Sequence, residues 1–303
     1  MGKPIRKISR MALKEALDGY LFVLPLLIGL IGLSGYPMVK SLMISFSKYD
    51  VFTPPQYVGL HNYIKLFHDP LFWTSLKVTT VYSFVSVPLG LTAGLAVALL
   101  MNQKVKGIAL FRTIYFLPAV VSGVAVSLLW VWIFNSNCGL ANVALKFLHI
   151  PPQKWLESPK TALGSLIFMS LWGVGGGMVI YLAGLQGVPQ QLYEAAEIDG
   201  ANSFQQFRNV TIPMLTPVIF YNLIMGIIGS FQVFTQAYVM TKGGPSNTTL
   251  FYVLYLFKNA FNYFHMGYAS AMAWVLFVLI LIMTLLVFKS SAAWVYYEGE
   301  RKS

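Results

Sequence analysis

The residue types that most often do chemistry are few and scattered in this sequence. Four histidines lie in or beside predicted loops, where ordinary loop positions explain them better than metal ligation: His61, His68, His149 and His265. The single cysteine, Cys138, has no partner in the chain for a disulfide and offers no metal cluster. The sequence has no G-x-x-x-x-G-K-[ST], H-E-x-x-H or G-x-S-x-G motif. It therefore predicts a protein that is not an enzyme and binds no metal or cofactor of its own.

The polar segment 188–212 carries the pattern that is most typical of a specific interaction. Residues 193–199 favour a helix, and Gly200 suits the left-handed backbone that ends one. Ser203 is predicted to cap a second short helix, with Gln206 completing a capping box. The segment should therefore form a helix, a glycine turn and a short helix across the cytoplasmic surface.

The second of these helices would place Phe204 and Phe207 on one exposed face. Two exposed rings on a short amphipathic helix are typical of a surface that fits a partner's groove. A helix resting on lipid is the alternative, but such helices are usually rich in Lys and Arg. This segment has three acidic residues against the single Arg208, and the chain is predicted to re-enter the membrane at Pro213. A protein partner is therefore favoured over lipid or DNA.

The elements on either side of this segment are strongly apolar. The chain has 303 residues, of which 57% are hydrophobic and 10% charged, whereas a soluble domain carries about 25% charged residues. A bilayer span takes about 20 residues, and six uncharged stretches are long enough: about 20–39, 78–101, 113–134, 162–187, 213–240 and 267–288. Several contain helix breakers, including Pro118 and the glycine-rich run 173–177, which favour kinks or close packing. The sequence thus predicts an all-α membrane protein with six transmembrane helices and segment 188–212 between helices four and five.

The net charge of +11 is explained by membrane orientation rather than by nucleic acid. Of the 21 Lys and Arg residues, 12 lie in segments predicted to be cytoplasmic: 1–19, 103–112, 188–212 and 289–303. Longer loops are predicted outside: 48–75, 135–161 and 241–266. The predicted organisation is a cytoplasmic N-terminal segment 1–19, a six-helix domain 20–290 and a cytoplasmic tail 291–303.

The predicted spans carry no Asp, Glu, Lys, Arg or His. Ion-coupled carriers usually need such groups in the membrane. Their absence argues against coupling to a proton gradient and favours an energy source outside this chain. It also favours a neutral, hydroxyl-rich substrate. Trp130, Trp132 and Trp172 could stack on a sugar ring, although tryptophan at a span end is typically an interface anchor.

The central segment resembles a known family in the pattern Glu194-Ala195-Ala196-x3-Gly200-x9-Val210-x-Ile212-Pro213. It is similar to the EAA loop of ABC importer permeases, with Val210 where that family usually has Ile. Three further segments resemble the carbohydrate-uptake branch: YVGLHNYIKLFHDPLFW, FRTIYFLPAVVSGVAVSLLWVWIFN and YVMTKGGPSNTT. Their order resembles the first of two paired permeases, as in the glycerol-phosphate and lactose systems, and the resemblance covers about residues 18–290. The large periplasmic insert and the two extra N-terminal helices of the maltose system's subunit are absent.

The resemblance implies a permease of a sugar or oligosaccharide importer in a bacterial or archaeal cytoplasmic membrane. It implies a second homologous permease, two ATP-binding subunits that use ATP and Mg, an extracytoplasmic binding protein and surrounding lipid as partners. The implied ATPase-docking residues are Glu194, Ala195, Ala196, Asp199, Gly200, Ala201, Phe204 and Phe207. In this family Glu194 would pair with a basic residue of the ATPase, and ATP would move the spans from inward- to outward-facing.

The resemblance and the helical register also suggest residues along the substrate pathway: Gly173, Gly176, Gly226, Gly229, Ser230, Gln232 and Val233. Helix packing is the alternative role for each of them. Two alternative functions stay open, namely import of another polar solute such as glycerol phosphate, and transport by an autonomous secondary carrier.

Overall fold

The computed structural model describes residues 10–296, and most of these residues are helical. In chain order the helices are α1 (Arg10–Gly29), α2 (Tyr36–Ser45), α3 (His61–Phe67), α4 (Pro70–Met101), α5 (Ile108–Val120), α6 (Gly123–Ile133), α7 (Leu140–Phe147), α8 (Ala162–Ser170), α9 (Gly175–Gln186), α10 (Gln190–Ile198), α11 (Ser203–Gln206), α12 (Ile212–Phe231), α13 (Tyr252–Phe257) and α14 (Met266–Trp294). Wider or tighter helical turns lie at Leu30–Gly35, Leu171–Gly173, Phe207–Thr211, Ala237–Thr241 and Lys258–Asn262. Two short strands, β1 (Ser47–Lys48) and β2 (Gln56–Tyr57), pair antiparallel, a small departure from the predicted all-α class.

Between four and six segments of the described chain are long and apolar enough to cross a membrane. Four are continuous helical segments: Lys14–Ser45, Pro70–Met101, Ser203–Phe231 and Met266–Trp294. Two are bent pairs, α5 with α6 at 99° and α8 with α9 at 44°, and six spans result if each pair counts as one. The mostly helical membrane class is confirmed, whereas the count of six stays a prediction.

The helix α4 begins eight residues before the predicted start of its span. Asp69 caps it, with Oδ1 accepting a hydrogen bond of 2.9 Å from the backbone N–H of Leu71, and Pro70 occupies the first turn. Lys77 therefore lies inside the helix, with its side chain exposed. The predicted span began after Lys77 because it was chosen as an uncharged stretch. The helix itself begins at its cap and continues past this single exposed lysine.

The described residues divide into two compact units, which we call unit 1 (residues 10–66 and 259–274) and unit 2 (residues 67–258 and 275–296). In unit 1, the Asn62 amide donates hydrogen bonds of 2.8 Å and 2.9 Å to the carbonyls of Ser45 and Ser47. The N–H of Gly267 donates to the carbonyl of Tyr49 at 3.2 Å. A Cβ at Gly267 would overlap the Ser47 carbonyl, so only glycine permits this close approach.

The core of unit 2 forms where α4, α9 and α12 pack on one another. Its fully buried side chains include Ala98, Met178, Tyr181 and Leu215. A Cβ at Gly184 would lie 2.9 Å from Cδ2 of Leu215, so a small residue here lets α9 approach α12 closely.

The two bent pairs coincide with the helix breakers that the sequence contains. The 99° bend falls shortly after Pro118, at Val121, whose backbone is extended. The 44° bend falls in the glycine-rich run, where a Cβ at Gly175 would overlap the carbonyl oxygen of Tyr115. Close packing of α9 on α5 therefore explains Gly175.

Candidate functional site

The first candidate site is the EAA segment, residues 190–211. The helix α10 ends with two capping hydrogen bonds, from the N–H of Ala201 to the Ala196 carbonyl at 2.9 Å and from the N–H of Gly200 to the Glu197 carbonyl at 3.0 Å. Gly200 has φ +79°, so the predicted left-handed stop is confirmed. A glycine is required because other residues pay about 1–2 kcal/mol for this backbone conformation.

The cap of the following helix lies one residue earlier than predicted. The Asn202 side chain accepts a hydrogen bond of 2.9 Å from the N–H of Gln205, whose side chain accepts one of 2.8 Å from the N–H of Asn202. The prediction of Ser203 with Gln206 was therefore wrong. Both pairs have the required spacing, and Asn is at least as good an N-cap as Ser.

The second helix also does not lie separately across the surface. It runs through the widened turn Phe207–Thr211 into α12 as one continuous segment, Ser203–Phe231. Pro213 has no N–H for the carbonyl of Asn209, and the widened turn directly precedes this disturbance. The helix thus accommodates Pro213, and re-entry into the membrane at this residue stays a prediction.

The EAA segment presents a mixed acidic and apolar surface. Glu194, Ala195, Asp199 and Gly200 are exposed, whereas Ala196 and Ala201 are half-buried. Phe204 is 69% exposed, but Phe207 is half-buried, so the prediction of two exposed rings was wrong for Phe207. Ile198 is 88% exposed and was missed, although an apolar residue ending a polar helix was a signal for it.

One side-chain contact fastens α10 to the base of α12. The hydroxyl of Tyr193 shares a hydrogen bond of 3.0 Å with the hydroxyl of buried Thr211. Thr211 directly precedes α12, so this contact joins α10 to the start of that helix.

The second candidate site is a cavity of about 450 Å³ in unit 2, lined largely by α4, α9 and α12, which we call the groove. Of the predicted pathway residues, five line it: Gly173, Gly226, Gly229, Ser230 and Val233. Gly176 and Gln232 are not among its lining residues. Gly177, which lies in α9 after the bend, lines it instead.

The groove offers hydroxyl, amide and aromatic groups. Its described lining contains no Asp, Glu, Lys, Arg or His; its polar and aromatic side chains are Tyr82, Ser86, Ser170, Tyr181, Tyr221, Asn222 and Ser230. The hydroxyls of Ser83 and Ser230 share a buried hydrogen bond of 2.6 Å that joins α4 to α12. The Tyr181 hydroxyl is buried and has no hydrogen-bond partner in the described chain. Such a lining suits a neutral, hydroxyl-rich molecule, which can exchange hydrogen bonds with it without leaving a charge unpaired.

The three tryptophans singled out in the sequence have different environments. Trp130 is only 6% exposed and packs with Phe134 and Met169, so it offers no face to a sugar. Trp132 is 81% exposed, and it lines with Trp172 a separate apolar cavity of about 630 Å³. Tertiary packing of Trp130, which the sequence could not show, removes it from the stacking candidates.

Comparison with known proteins gives three findings. Residues 86–294 match the family described as "Binding-protein-dependent transport system inner membrane component". The chain is 45% identical over 306 residues to "Probable ABC transporter permease protein YesP" of Bacillus subtilis, covering 99% of each chain. It is 37% identical over 286 residues to "Trehalose/maltose transport system permease protein MalF" of Thermococcus litoralis, covering 93% of this chain and 96% of that relative.

A solved structure has the same fold. A chain of the bacterial alginate ABC transporter, in complex with an alginate pentasaccharide-bound periplasmic protein, superposes with a TM-score of 0.83. The two chains are 22% identical, and the match covers 94% of this chain and 97% of that one.

Proposed function

The chain belongs to the family of binding-protein-dependent transport system inner membrane components, and from this premise we propose that it is a permease subunit of an ATP-driven importer of sugars or oligosaccharides. The match over residues 86–294 carries the proposal. A carbohydrate cargo is supported by the relative named for trehalose and maltose transport and by the uncharged groove, rich in hydroxyl groups. An autonomous secondary carrier would leave both the family and the EAA segment unexplained.

The proposed partners follow from the same premise. A second homologous permease completes the pathway, two cytoplasmic ATPase subunits bind ATP and Mg, and an extracytoplasmic binding protein delivers the cargo. This chain is not an enzyme and binds no cofactor itself. The proposed topology has six spans in a bacterial or archaeal cytoplasmic membrane, both termini inside, and the EAA segment between spans four and five.

The proposed docking surface is the exposed part of the EAA segment. Glu194 is placed to meet a basic side chain of the ATPase, while Phe204 and Ile198 offer apolar contacts that suit a groove. Gly200 sets the direction of the chain between these contacts through its left-handed backbone.

Transmission from this surface to the groove uses one helix. The continuous segment Ser203–Phe231 has 29 residues, which makes it about 43 Å long given the rise of an α-helix. Its first residues belong to the EAA segment, and Gly226, Gly229 and Ser230 near its other end line the groove. A movement of α10 in the ATPase would therefore reach the groove through one continuous helical segment, helped by the bond between Tyr193 and Thr211.

Co-purification tests this proposal. Tagged chain should retain its ATPase when wild type, and should lose it when Glu194→Ala and Gly200→Pro are combined. Glu157→Ala, which removes an exposed carboxylate elsewhere in unit 2, is the matched control and should retain the ATPase. If the double variant keeps the ATPase at the wild-type ratio, the proposed docking surface is wrong.

A further inference from the structure

A cavity in unit 1 has a different chemical character from the groove. Its volume is about 730 Å³, and it lies between the strand β1 with its following loop, α3, and the residues around 263–268. Ligand pockets typically measure about 300–1,000 Å³, so one or two sugar residues fit this volume. All of its lining residues belong to unit 1.

The described lining of this cavity carries one net positive charge, from two lysines and one carboxylate. Lys48 and Lys65 both line it with exposed side chains, and His61 and His265 add imidazole donors. Asp50 is the one carboxylate among the described lining residues. The cavity therefore carries more cationic than anionic groups and favours an anion.

The Asp50 carboxylate is already engaged within its own loop. Its Oδ1 accepts hydrogen bonds from the Thr53 hydroxyl at 2.7 Å and from the Thr53 backbone N–H at 2.9 Å. These bonds hold the pKa of Asp50 below its usual value. Asp50 therefore stays ionised and its hydrogen bonds order the loop. Separately, the ammonium group of Lys65 lies 5.3 Å from the centroid of the Tyr268 ring.

Aromatic rings form the rest of the wall. Phe52 is 76% exposed, and its ring centroid lies 5.3 Å from that of Phe264 in an edge-to-face contact. Tyr263 beside it is also exposed. Exposed aromatic faces in a concave cavity suit the C–H faces of pyranose rings, whose hydroxyls remain free to bond polar groups.

The backbone holds these rings in place at an energetic cost. Val51 has φ +75° and Phe264 has φ +56°, a region that β-branched and bulky residues rarely adopt. Such conformations persist where the surroundings over-determine them, and they cluster at ligand-binding sites. The floor beneath is fixed by the Asn62 amide and by the close approach at Gly267.

We propose that this unit 1 cavity binds a hexuronate residue of an acidic saccharide, with Lys48 and Lys65 pairing with its carboxylate and Tyr263 and Phe264 stacking on its ring. The inference rests on the proposed function, since it names a class of cargo for the importer. The groove suits the neutral residues of such a saccharide, and its described lining has no cation for a carboxylate, so the carboxylate is recognised in unit 1. An anionic lipid headgroup would also pair with the lysines, so binding is measured in zwitterionic lipid, where the added saccharide supplies the anion.

Direct binding tests this assignment on the full chain, purified in zwitterionic lipid nanodiscs with the subunits that co-purify with it. The ligands are three matched pairs: glucuronate with glucose, galacturonate with galactose, and mannuronate with mannose. Saturation-transfer NMR should show at least one uronate binding more tightly than its neutral counterpart. Lys48→Gln with Lys65→Gln should weaken uronate binding by roughly tenfold or more, because hydrogen bonds to charged groups are the strong ones.

Two variants separate the parts of the site. Lys48→Arg with Lys65→Arg keeps the charges and should keep the preference, whereas Tyr263→Leu should weaken a uronate and its neutral partner alike. The assignment is overturned if no uronate binds better than its counterpart, or if the preference survives in the double glutamine variant. ATPase co-purification, measured on the same preparation, reports separately on the proposed function.

Discussion

The hydrogen bond between Tyr193 and Thr211 should set how well ATP hydrolysis is coupled to transport. It joins α10 to the residue that directly precedes α12, at 3.0 Å, and Thr211 is buried. Tyr193→Phe removes the hydroxyl and leaves the ring. A neutral hydrogen bond contributes about 0.5–1.5 kcal/mol, and a coupling free energy of about 1 kcal/mol corresponds to about a fivefold effect.

We therefore expect Tyr193→Phe to lower the sugar imported per ATP hydrolysed by about fivefold, with the bound ATPase unchanged because the docking surface is intact. The assay is uptake and ATP hydrolysis measured together in proteoliposomes. Tyr57→Phe, which removes an exposed hydroxyl in unit 1, is the matched control. Thr211→Val removes the other hydroxyl and completes a double-mutant cycle. Calculated from the ratio of import to hydrolysis, the two substitutions should show a coupling free energy of about 0.5–1.5 kcal/mol. Additive effects, or an unchanged ratio of import to hydrolysis, would show that this hydrogen bond does not couple hydrolysis to import.

Three further predictions concern stability. Gly175→Ala should destabilise the chain by about 1–3 kcal/mol because its Cβ overlaps backbone, whereas Gly176→Ala, whose Cβ would make an ordinary contact, should be nearly neutral in thermal unfolding. Asn202→Ala should cost about 1 kcal/mol through loss of the capping box, measured by denaturant unfolding, and an unchanged midpoint would contradict it. Thr53→Ala should raise the depressed pKa of Asp50. A carboxyl with a lowered pKa stabilises the fold fully above its unfolded pKa and loses this effect as pH falls through its folded pKa. The wild type's advantage in unfolding temperature should therefore be present above the ordinary value of 3.8, decline as pH falls below it and disappear below the lowered pKa of Asp50. An advantage that persists at low pH would show that Asp50 is not its source.

Several features of the fold could be predicted because they depend on local backbone chemistry. The stop at Gly200 follows from the conformational freedom of glycine, and its capping bonds confirm it. The membrane class could be predicted from the apolar stretches, because the free energy of moving a segment from water into lipid depends on its length and amino-acid composition. Hydropathy could not locate the start of α4, which depends on the Asp69 cap and extends past Lys77.

Other features depend on contacts between distant parts of the chain. Gly177 rather than Gly176 lines the groove because the 44° bend before α9 changes which residues face α12, and the sequence does not give the angle of that bend. Trp130 was a candidate for stacking on a sugar ring, but its packing against Phe134 and Met169 buries it, and the sequence does not show these contacts. The unit 1 cavity joins Lys65 to Tyr263, about 200 residues apart in sequence, so no local pattern could predict it.

The central claim is that this chain moves sugar only as part of an ATP-driven importer. The most direct test is accumulation of a labelled sugar in proteoliposomes that contain the chain with its partner permease, its ATPase and its binding protein, compared with the purified chain alone. We expect accumulation against a gradient that requires hydrolysable ATP and the binding protein, and no transport by the chain alone. Equilibration of sugar by the chain alone, without ATP, would contradict it.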